Sequence, residues 1–141
     1  MDQSNKGEPG RKMNFIFDSS AIINLCGNKE IDKMLGGWTL NLAIYELGNA
    51  IWKQVKIYKK ITVEEANLVL DSLMEVFRRM KKPTAENPLR TLKIAVEENL
   101  TYYDASYISA AIENNLTLVT DDEKLYGVGK KYVKTIRSSA L

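Results

Sequence analysis

Short apolar runs alternate with helical stretches along this chain, and this alternation limits its possible folds more than any other feature. Four runs predict strands, at residues 13–17, 39–43, 116–120 and 132–136. Six other stretches predict helices, at 21–25, 44–58, 62–80, 88–98, 101–114 and 122–126. Residues 75–82 fit either the end of a helix or a further strand. Strands that alternate with helices predict an α/β domain around a mostly parallel sheet.

The chain has 141 residues, enough for one domain with its own core and too few for two ordinary ones. Residues 1–12 are polar and lack periodicity, which predicts a disordered leader or an artificial remnant before a single domain at 13–141. No apolar stretch approaches the roughly 20 residues that a membrane span needs. The one cysteine, Cys26, has no disulfide partner within the chain. We therefore expect a cytoplasmic protein that does not act at a membrane.

Histidine is absent from the sequence, and this excludes several kinds of active site. Neither a Ser-His-Asp triad nor a cysteine activated by histidine can form. An enzyme of this composition must use carboxylates, lysines, tyrosines or a hard metal ion. The net charge of +2 permits binding to nucleic acid but does not by itself indicate it.

Acidic residues stand where predicted strands end or predicted helices begin. Asp18 follows the first strand, Glu46 lies in the first turn of the second helix, and Asp104 lies early in the helix at 101–114. Asp121 and Asp122 follow the strand at 116–120. Ligand sites in parallel sheets lie beyond the carboxyl ends of the strands, so we expect these acids to meet at one edge. Oxygen ligands suit Mg²⁺, and such an ion can activate water for attack on a phosphate.

Each acid also has a purely structural interpretation. Asp18 is a suitable N-cap, and the helix dipole favours Glu46 in a first helical turn. The segments 101–104 and 120–123 both resemble capping boxes, Thr-x-x-Asp and Thr-x-x-Glu. For any single acid the sequence leaves both interpretations open, and only the joint placement favours a metal site.

Four segments, in order, resemble the motifs of the PIN domain. They are Phe-Asp-Ser-Ser-Ala-Ile at 17–22, Glu-Leu-Gly-Asn-Ala at 46–50, Thr-Tyr-Tyr-Asp-Ala-Ser-Tyr at 101–107 and Leu-Val-Thr-Asp-Asp-Glu-Lys-Leu at 118–125. The resemblance covers about residues 13–137, and within the family the chain is similar to the VapC-like toxins of prokaryotic toxin–antitoxin pairs. It implies a three-layer α/β/α fold with a central, mostly parallel sheet.

The resemblance also implies a function: a ribonuclease that needs Mg²⁺ or Mn²⁺, cuts single-stranded RNA internally, and has an antitoxin protein as its partner. The implied catalytic acids are Asp18, Glu46, Asp104 and Asp122. The implied metal ligands are Asp18, Asp104 and Asp122. Asp121 is a weaker candidate ligand because it occupies a variable position of the motif. Ser20 and Thr120 align with hydroxyls that support such sites, and simple helix capping explains them about as well.

Basic and apolar residues outside the motifs predict further contacts. Two basic clusters are candidates for RNA binding: Lys53, Lys56, Lys59 and Lys60, and Arg78, Arg79, Lys81 and Lys82. Trp38 and Trp52 could stack on bases, although packing is the commoner use of tryptophan. Val69 lies within the apolar stripe of the helix at 62–80, whereas Leu68 and Val76 lie off it. Together with the usual state of VapC-like proteins, they predict a homodimer.

Two rival functions are compatible with an α/β fold. The first is a non-catalytic module of the same fold that binds protein or RNA, and the presence of all four acids counts against it. The second is a phosphoacceptor receiver-like domain, which needs an acidic pair after the first strand. Here Ser19 and Ser20 follow Asp18 instead. An RNA-cleavage assay with metal and with EDTA distinguishes these functions.

Overall fold

The computed structural model describes residues 14–141, and the leader predicted at 1–12 lies outside this part. In chain order its elements are β1 (Phe15–Phe17), α1 (Ser19–Gly27), a 3-10 turn (Ile31–Lys33), α2 (Ala43–Lys56), α3 (Val63–Arg79), α4 (Pro88–Glu98), α5 (Tyr102–Asn114), β2 (Thr117–Val119), α6 (Glu123–Gly129), β3 (Thr135–Ile136) and a second 3-10 turn (Ser138–Ala140). The end of α6 lies three residues beyond its predicted end at 126. No helix within residues 14–141 is both long enough and apolar enough to cross a membrane.

The sheet is parallel, with its strands in the spatial order β1, β2, β3. Two single-residue bridges continue it beyond β1, because Trp38 pairs with Ile16 and Lys81 pairs with Trp38. The Trp38 amide donates to the Phe15 carbonyl at 2.9 Å, and its carbonyl accepts from the Phe17 amide at 2.8 Å. Since all these pairings are parallel, the carboxyl ends of the segments lie at one edge. The predicted parallel sheet is confirmed.

Side chains that alternate along the strands divide the core into two halves. Phe17 and Val119 belong to the half that α1, α2 and α3 complete. Ile16 and Leu118 belong to the half that α4, α5 and α6 complete. Helices therefore cover both faces of the sheet, and the predicted three-layer α/β/α fold is confirmed.

The strand predicted at 39–43 is wrong. Only Trp38, just before it, pairs with the sheet, and α2 has already begun at Ala43. Turn hydrogen bonds replace strand pairing, because the amides of Ala43 and Ile44 donate to the carbonyls of Leu40 and Asn41 at 3.0 and 3.3 Å. Backbone groups that form the hydrogen bonds of a turn cannot also pair with a neighbouring strand. Helix α2 therefore starts close to the edge of the sheet.

Helix α3 answers the question left open for residues 75–82. The predicted capping box is present: the Thr62 hydroxyl accepts from the Glu65 amide at 3.1 Å, and the Glu65 carboxylate accepts from the Thr62 amide at 2.9 Å. The helix continues to Arg79, and Lys81 then pairs with the sheet. The segment therefore contains both a helix end and a single sheet contact.

The apolar face of α3 differs from the predicted one at two positions. Val76, predicted to lie off the stripe, is only 4% exposed, whereas Val69, predicted within it, is 42% exposed. Leu68 is exposed as predicted, at 73%. The prediction followed a regular repeat, but burial depends on how α3 packs against α1 and α2.

Candidate active site

Four acids reach the carboxyl edge of the sheet on four different helices. Asp18 follows β1 and caps α1, Glu46 lies in the first turn of α2, Asp104 lies in the first turn of α5, and Asp122 follows β2 and caps α6. Each helix start at this edge thus supplies one carboxylate.

Asp18 is the most deeply buried of the four, with 5% exposure. One carboxylate oxygen accepts from the Ala21 amide at 3.0 Å and the Ser20 hydroxyl at 2.7 Å, and the other accepts from the Thr120 hydroxyl at 2.5 Å. Burial raises the pKa of Asp18 to about 6; these hydrogen bonds oppose the rise and the charge of Asp122 adds to it. The N-cap contact is present, but aspartate is seldom buried without a charged partner. Capping alone therefore does not account for Asp18.

Ser20 and Thr120 join the ends of β1 and β2 around Asp18. The Thr120 hydroxyl accepts from the Asp122 amide at 3.0 Å, and the Ser20 hydroxyl accepts from the Asp121 amide at 3.0 Å. Their oxygen atoms lie 3.4 Å apart. The helix caps are instead Asp18 and Asp122, so the capping box predicted at 120–123 is wrong.

Glu46 is held by a buried tyrosine that the sequence analysis missed. The Tyr107 hydroxyl donates to Glu46 Oε1 at 2.8 Å, and Tyr107 is 1% exposed. Burial raises the pKa of Glu46; the bond from Tyr107 lowers it, and the charges of Asp104 and Asp18 raise it further. Burial and the charge of Glu46 hold the pKa of Tyr107 well above its usual value, so its hydroxyl keeps its proton. The available signal was its place one helical turn after Asp104.

Asp104 shows only half of the predicted capping box. The Thr101 hydroxyl accepts from the Asp104 amide at 3.0 Å, which is the N-cap contact of α5. Burial raises the pKa of the Asp104 carboxyl and the charge of Asp122 raises it further, whereas a hydrogen bond from the Thr101 side chain and the charge of Lys124 lower it. The backbone of Asp104 therefore serves the cap while its carboxylate faces other charges.

The four carboxylates are close enough to act on one another. The charge of Asp122 raises the pKa of both Asp18 and Asp104. The charges of Asp104 and Asp18 in turn raise the pKa of Glu46. Like charges that disfavour ionisation in this way must lie near one another. We call Asp18, Glu46, Asp104 and Asp122 the acid cluster.

Asp121, the weaker candidate ligand, is engaged elsewhere. Its carboxylate accepts from the Ser138 amide at 2.9 Å, the Ser138 hydroxyl at 2.5 Å and the Asn24 amide nitrogen at 2.7 Å. Burial alone would raise the pKa of Asp121, but these bonds and the charge of Arg137 lower it overall. Its contacts therefore tie the C-terminal turn and α1 to the end of β2.

The acid cluster fits a metal ion that keeps much of its water. No group of three or more histidine, cysteine, aspartate or glutamate side chains within residues 14–141 is placed so that it could hold a metal ion. Mg²⁺ does not require such a group, because it usually retains several waters and binds through one or two carboxylates plus substrate phosphate. Hard carboxylate oxygens also suit Mn²⁺. The donor set is thus compatible with either ion.

The two predicted basic clusters differ in their partners. Arg78 and Arg79 both pair with Glu75, at 2.8 and 3.1 Å, and Lys82 donates to main-chain carbonyls at the end of α3. Lysines 53, 56, 59 and 60 are exposed and form no ion pair with the described residues. Lys124, which the sequence analysis did not select, is the cation whose charge acts on Asp104.

Comparison with known proteins gives concordant results. Residues 15–131 match the family model of the PIN domain. The chain is 34% identical over 116 residues to exonuclease VapC9 of Pyrobaculum aerophilum, covering 79% of this chain and 82% of that protein. It is 32% identical over 122 residues to ribonuclease VapC3 of the same organism, covering 80% and 92%. The crystal structure of PAE2754 from Pyrobaculum aerophilum matches with a TM-score of 0.76 at 31% identity, covering 91% of this chain and 92% of that one. The chain therefore belongs to the PIN-domain family, among its VapC-like members.

Proposed function

We propose that the protein is a ribonuclease that needs a divalent metal ion and cuts single-stranded RNA internally at the acid cluster. The observation that carries the proposal is the convergence of carboxylates from four different helices at one edge of the sheet, close enough that the charges of Asp122, Asp104 and Asp18 act on their neighbours. Helix caps have no reason to converge, whereas perturbed carboxylates in one place are typical of functional sites. The names of the relatives, exonuclease VapC9 and ribonuclease VapC3, support a nuclease.

The four acids have different tasks in this proposal. Asp18, Asp104 and Asp122 hold Mg²⁺ or Mn²⁺, directly or through water. When bound, the cation supplies Lewis-acid stabilisation of negative charge on the scissile phosphate. Glu46 accepts a proton from the attacking water, because its raised pKa brings it closer to the working range of a general base. Ser20 and Thr120 hold the Asp18 carboxylate in place, and Asp121 has a structural task.

The biological setting of the proposal is that of a toxin. The protein acts in the cytoplasm, is held inactive by a cognate antitoxin protein, and forms a homodimer. The VapC names of both relatives support the antitoxin. The apolar residues Val63, Leu68 and Val69 on the exposed side of α3 support an interface, since such patches mark association sites.

A cleavage assay on linear and circular single-stranded RNA tests the proposal. We expect cleavage of both substrates with Mn²⁺ or Mg²⁺, none with EDTA, and none by the Asp104→Asn variant. The matched control is Asp71→Asn, because Asp71 is an exposed aspartate on α3 away from the cluster. Cleavage of linear RNA alone would indicate an exonuclease. RNA binding without any cleavage would replace the proposal by the non-catalytic binding module.

A further inference from the structure

A cavity of about 250 Å³ lies beside the acid cluster but outside it. Its walls come from the turn before α2, the segment between α3 and α4, and one side of α5. Two of these walls carry residues that are close in sequence to cluster acids, because Leu42 precedes Glu46 by one helical turn and Tyr103 directly precedes Asp104. Binding sites for drug-sized ligands are larger, about 300–1,000 Å³. The cavity therefore suits a smaller, flat group.

The chemistry of the walls argues against a phosphate as the occupant. Among the described residues the lining contains no lysine or arginine, and it includes Glu86 and Glu113. Arg90, outside the lining, pairs with Glu113 at 3.2 Å, whereas Glu86 forms no ion pair with the described residues. A phosphate would be repelled by the unpaired charge of Glu86. An uncharged ring with amino groups on its edge would instead find acceptors.

Aromatic and amide side chains complete this environment. Tyr102 and Tyr103 line the cavity and are 44% and 64% exposed, so their rings can still accept a stacking partner. The Asn87 side-chain oxygen already accepts from the Arg90 amide at 3.1 Å, but its NH₂ group donates to no described residue. The Asn41 side chain forms no hydrogen bond with the described residues either. Amides next to an aromatic platform are the means by which proteins read unpaired RNA bases.

We infer that this cavity binds one nucleobase of the RNA strand that is cut at the acid cluster, and that it favours bases with an exocyclic amino group over uracil. This inference rests on the proposed function and names how its substrate is selected. The preference follows from Glu86 and from the Glu113 oxygen that Arg90 leaves unused, because carboxylates accept from base amino groups, as from N4 of cytosine. Helix α5, about 10–12 Å across with its side chains, stands between the pocket face and the Asp104 face. The bound base therefore belongs to a nucleotide near the cut bond, and it sets the register of cleavage.

Two variants and a matched control separate the cavity from the acids. Ala110→Leu fills the cavity from the wall of α5, and Tyr103→Ala removes an exposed stacking ring without disturbing the core. The control is Tyr45→Ala, because Tyr45 is also an exposed tyrosine one residue before a cluster acid but does not line the cavity. None of the three belongs to the acid cluster.

The direct test is nucleoside binding, followed through backbone amide NMR shifts, with adenosine, cytidine and uridine as probes. We expect adenosine and cytidine to shift the amides of Ser106, Ala110 and Glu113, and uridine to bind more weakly. Tyr103→Ala should weaken adenosine binding about fivefold or more, as loss of a stacking partner does. Ala110→Leu should abolish binding, and Tyr45→Ala should leave it unchanged. Absence of shifts at the cavity, or equal shifts in Ala110→Leu, overturns the inference.

The second readout is the base composition around cleavage sites in a randomised single-stranded RNA. Wild type and Tyr45→Ala should share one preferred position, and Ala110→Leu and Tyr103→Ala should lose that preference while still cleaving. Cleavage with an unchanged preference in both cavity variants overturns the base site but leaves the nuclease intact. Nucleoside binding at the cavity without RNA cleavage would support the base site and contradict the nuclease. A change confined to the sedimentation of the cavity variants would assign the cavity to a contact between copies and also overturn the inference.

Discussion

Asp121 and Asp122 are adjacent aspartates after the same strand, yet they lie in opposite electrostatic surroundings. The carboxylate of Asp121 accepts hydrogen bonds from Ser138 and Asn24, and its pKa is lowered overall. Asp122 caps α6 and raises the pKa of Asp18 and of Asp104. One aspartate is stabilised by its neighbours, and the next destabilises its neighbours. The task of a carboxylate thus depends on the side chains that the fold brings to it from elsewhere in the chain.

The same contrast separates a structural region from a functional one. Donors around Asp121 stabilise the charged form and therefore the folded state. The acid cluster holds like charges, one of them buried and two partly buried, that the unfolded chain would leave solvated, so it lowers the stability of the metal-free protein. Active sites commonly keep such repulsion between like charges, because carboxylates with perturbed pKa values are useful in the reaction. Variants that remove one of these charges should therefore gain stability and lose activity.

The largest effect is expected from the pH dependence of Asp18 without metal. A rise in its pKa from 3.8 to about 6 corresponds to about 3 kcal/mol. Because the folded protein holds this proton more tightly than the unfolded chain, the contribution is favourable at low pH and is lost as the pH rises from about 4 through 6. In urea unfolding with EDTA, the free energy of unfolding of Asp18→Asn relative to wild type should rise by up to about 3 kcal/mol between pH 4 and 7. A difference that stays constant with pH would contradict the buried charge.

A slightly smaller effect is expected from metal binding. A hundredfold excess of Mn²⁺ over its Kd stabilises the folded state by about 2.7 kcal/mol, which raises Tm by several degrees in a domain of this size. Asp104→Asn should melt higher than wild type in EDTA, because burial and Asp122 both oppose its charge, and should respond less to Mn²⁺. The cap at Thr101 uses the Asp104 amide and survives the change. If the variant melts lower in EDTA and both proteins ignore Mn²⁺, the carboxylates act only as helix-start residues.

The sequence could place the four acids at one edge because each position follows from a local pattern. Asp18 and Asp122 follow β1 and β2, the segments whose apolar runs predict the inner strands of the sheet. The different task of Asp121 was not predictable in the same way. Its partners Ser138 and Asn24 lie 17 and 97 positions away, and no local periodicity reports a contact of that kind.

Local sequence patterns were also insufficient for the part of the sheet beyond β1. Trp38 and Lys81 join the sheet as single residues, which leaves no run of alternating residues to recognise. The apolar run that follows Trp38 was therefore interpreted as a strand, although its backbone turns into α2. In α3, the burial of Val76 depends on packing against neighbouring helices, which helical spacing alone does not determine.

A matched pair of substitutions tests the difference between Asp121 and Asp122 directly. Asp121→Asn should cost about 2 kcal/mol, the range for losing hydrogen bonds to a charged group, with little change in activity per folded molecule. Asp122→Asn should raise stability by no more than about 0.5 kcal/mol, because asparagine caps helices about as well as aspartate and the lost charge no longer opposes those of Asp18 and Asp104. Its RNA cleavage should nevertheless fall by roughly two orders of magnitude, as when one charge-stabilising group is removed. Urea midpoints and specific activities measure both; equal effects in the two variants would erase the distinction.

The smallest effect is expected at Tyr107, whose hydroxyl is the donor to Glu46. Tyr107→Phe keeps the buried ring and removes only the bond, so we expect cleavage to fall about tenfold, as when a group that orients a ligand is lost. That bond lowers the pKa of Glu46, so its loss should raise this pKa further. If Glu46 acts as a base, the acidic limb of the kcat/KM profile should then move to higher pH. The control is Tyr126→Phe, because the Tyr126 hydroxyl forms no hydrogen bond with the described residues. If Tyr107 has only a structural role, Tyr107→Phe should lower Tm and leave the pH profile of kcat/KM unchanged.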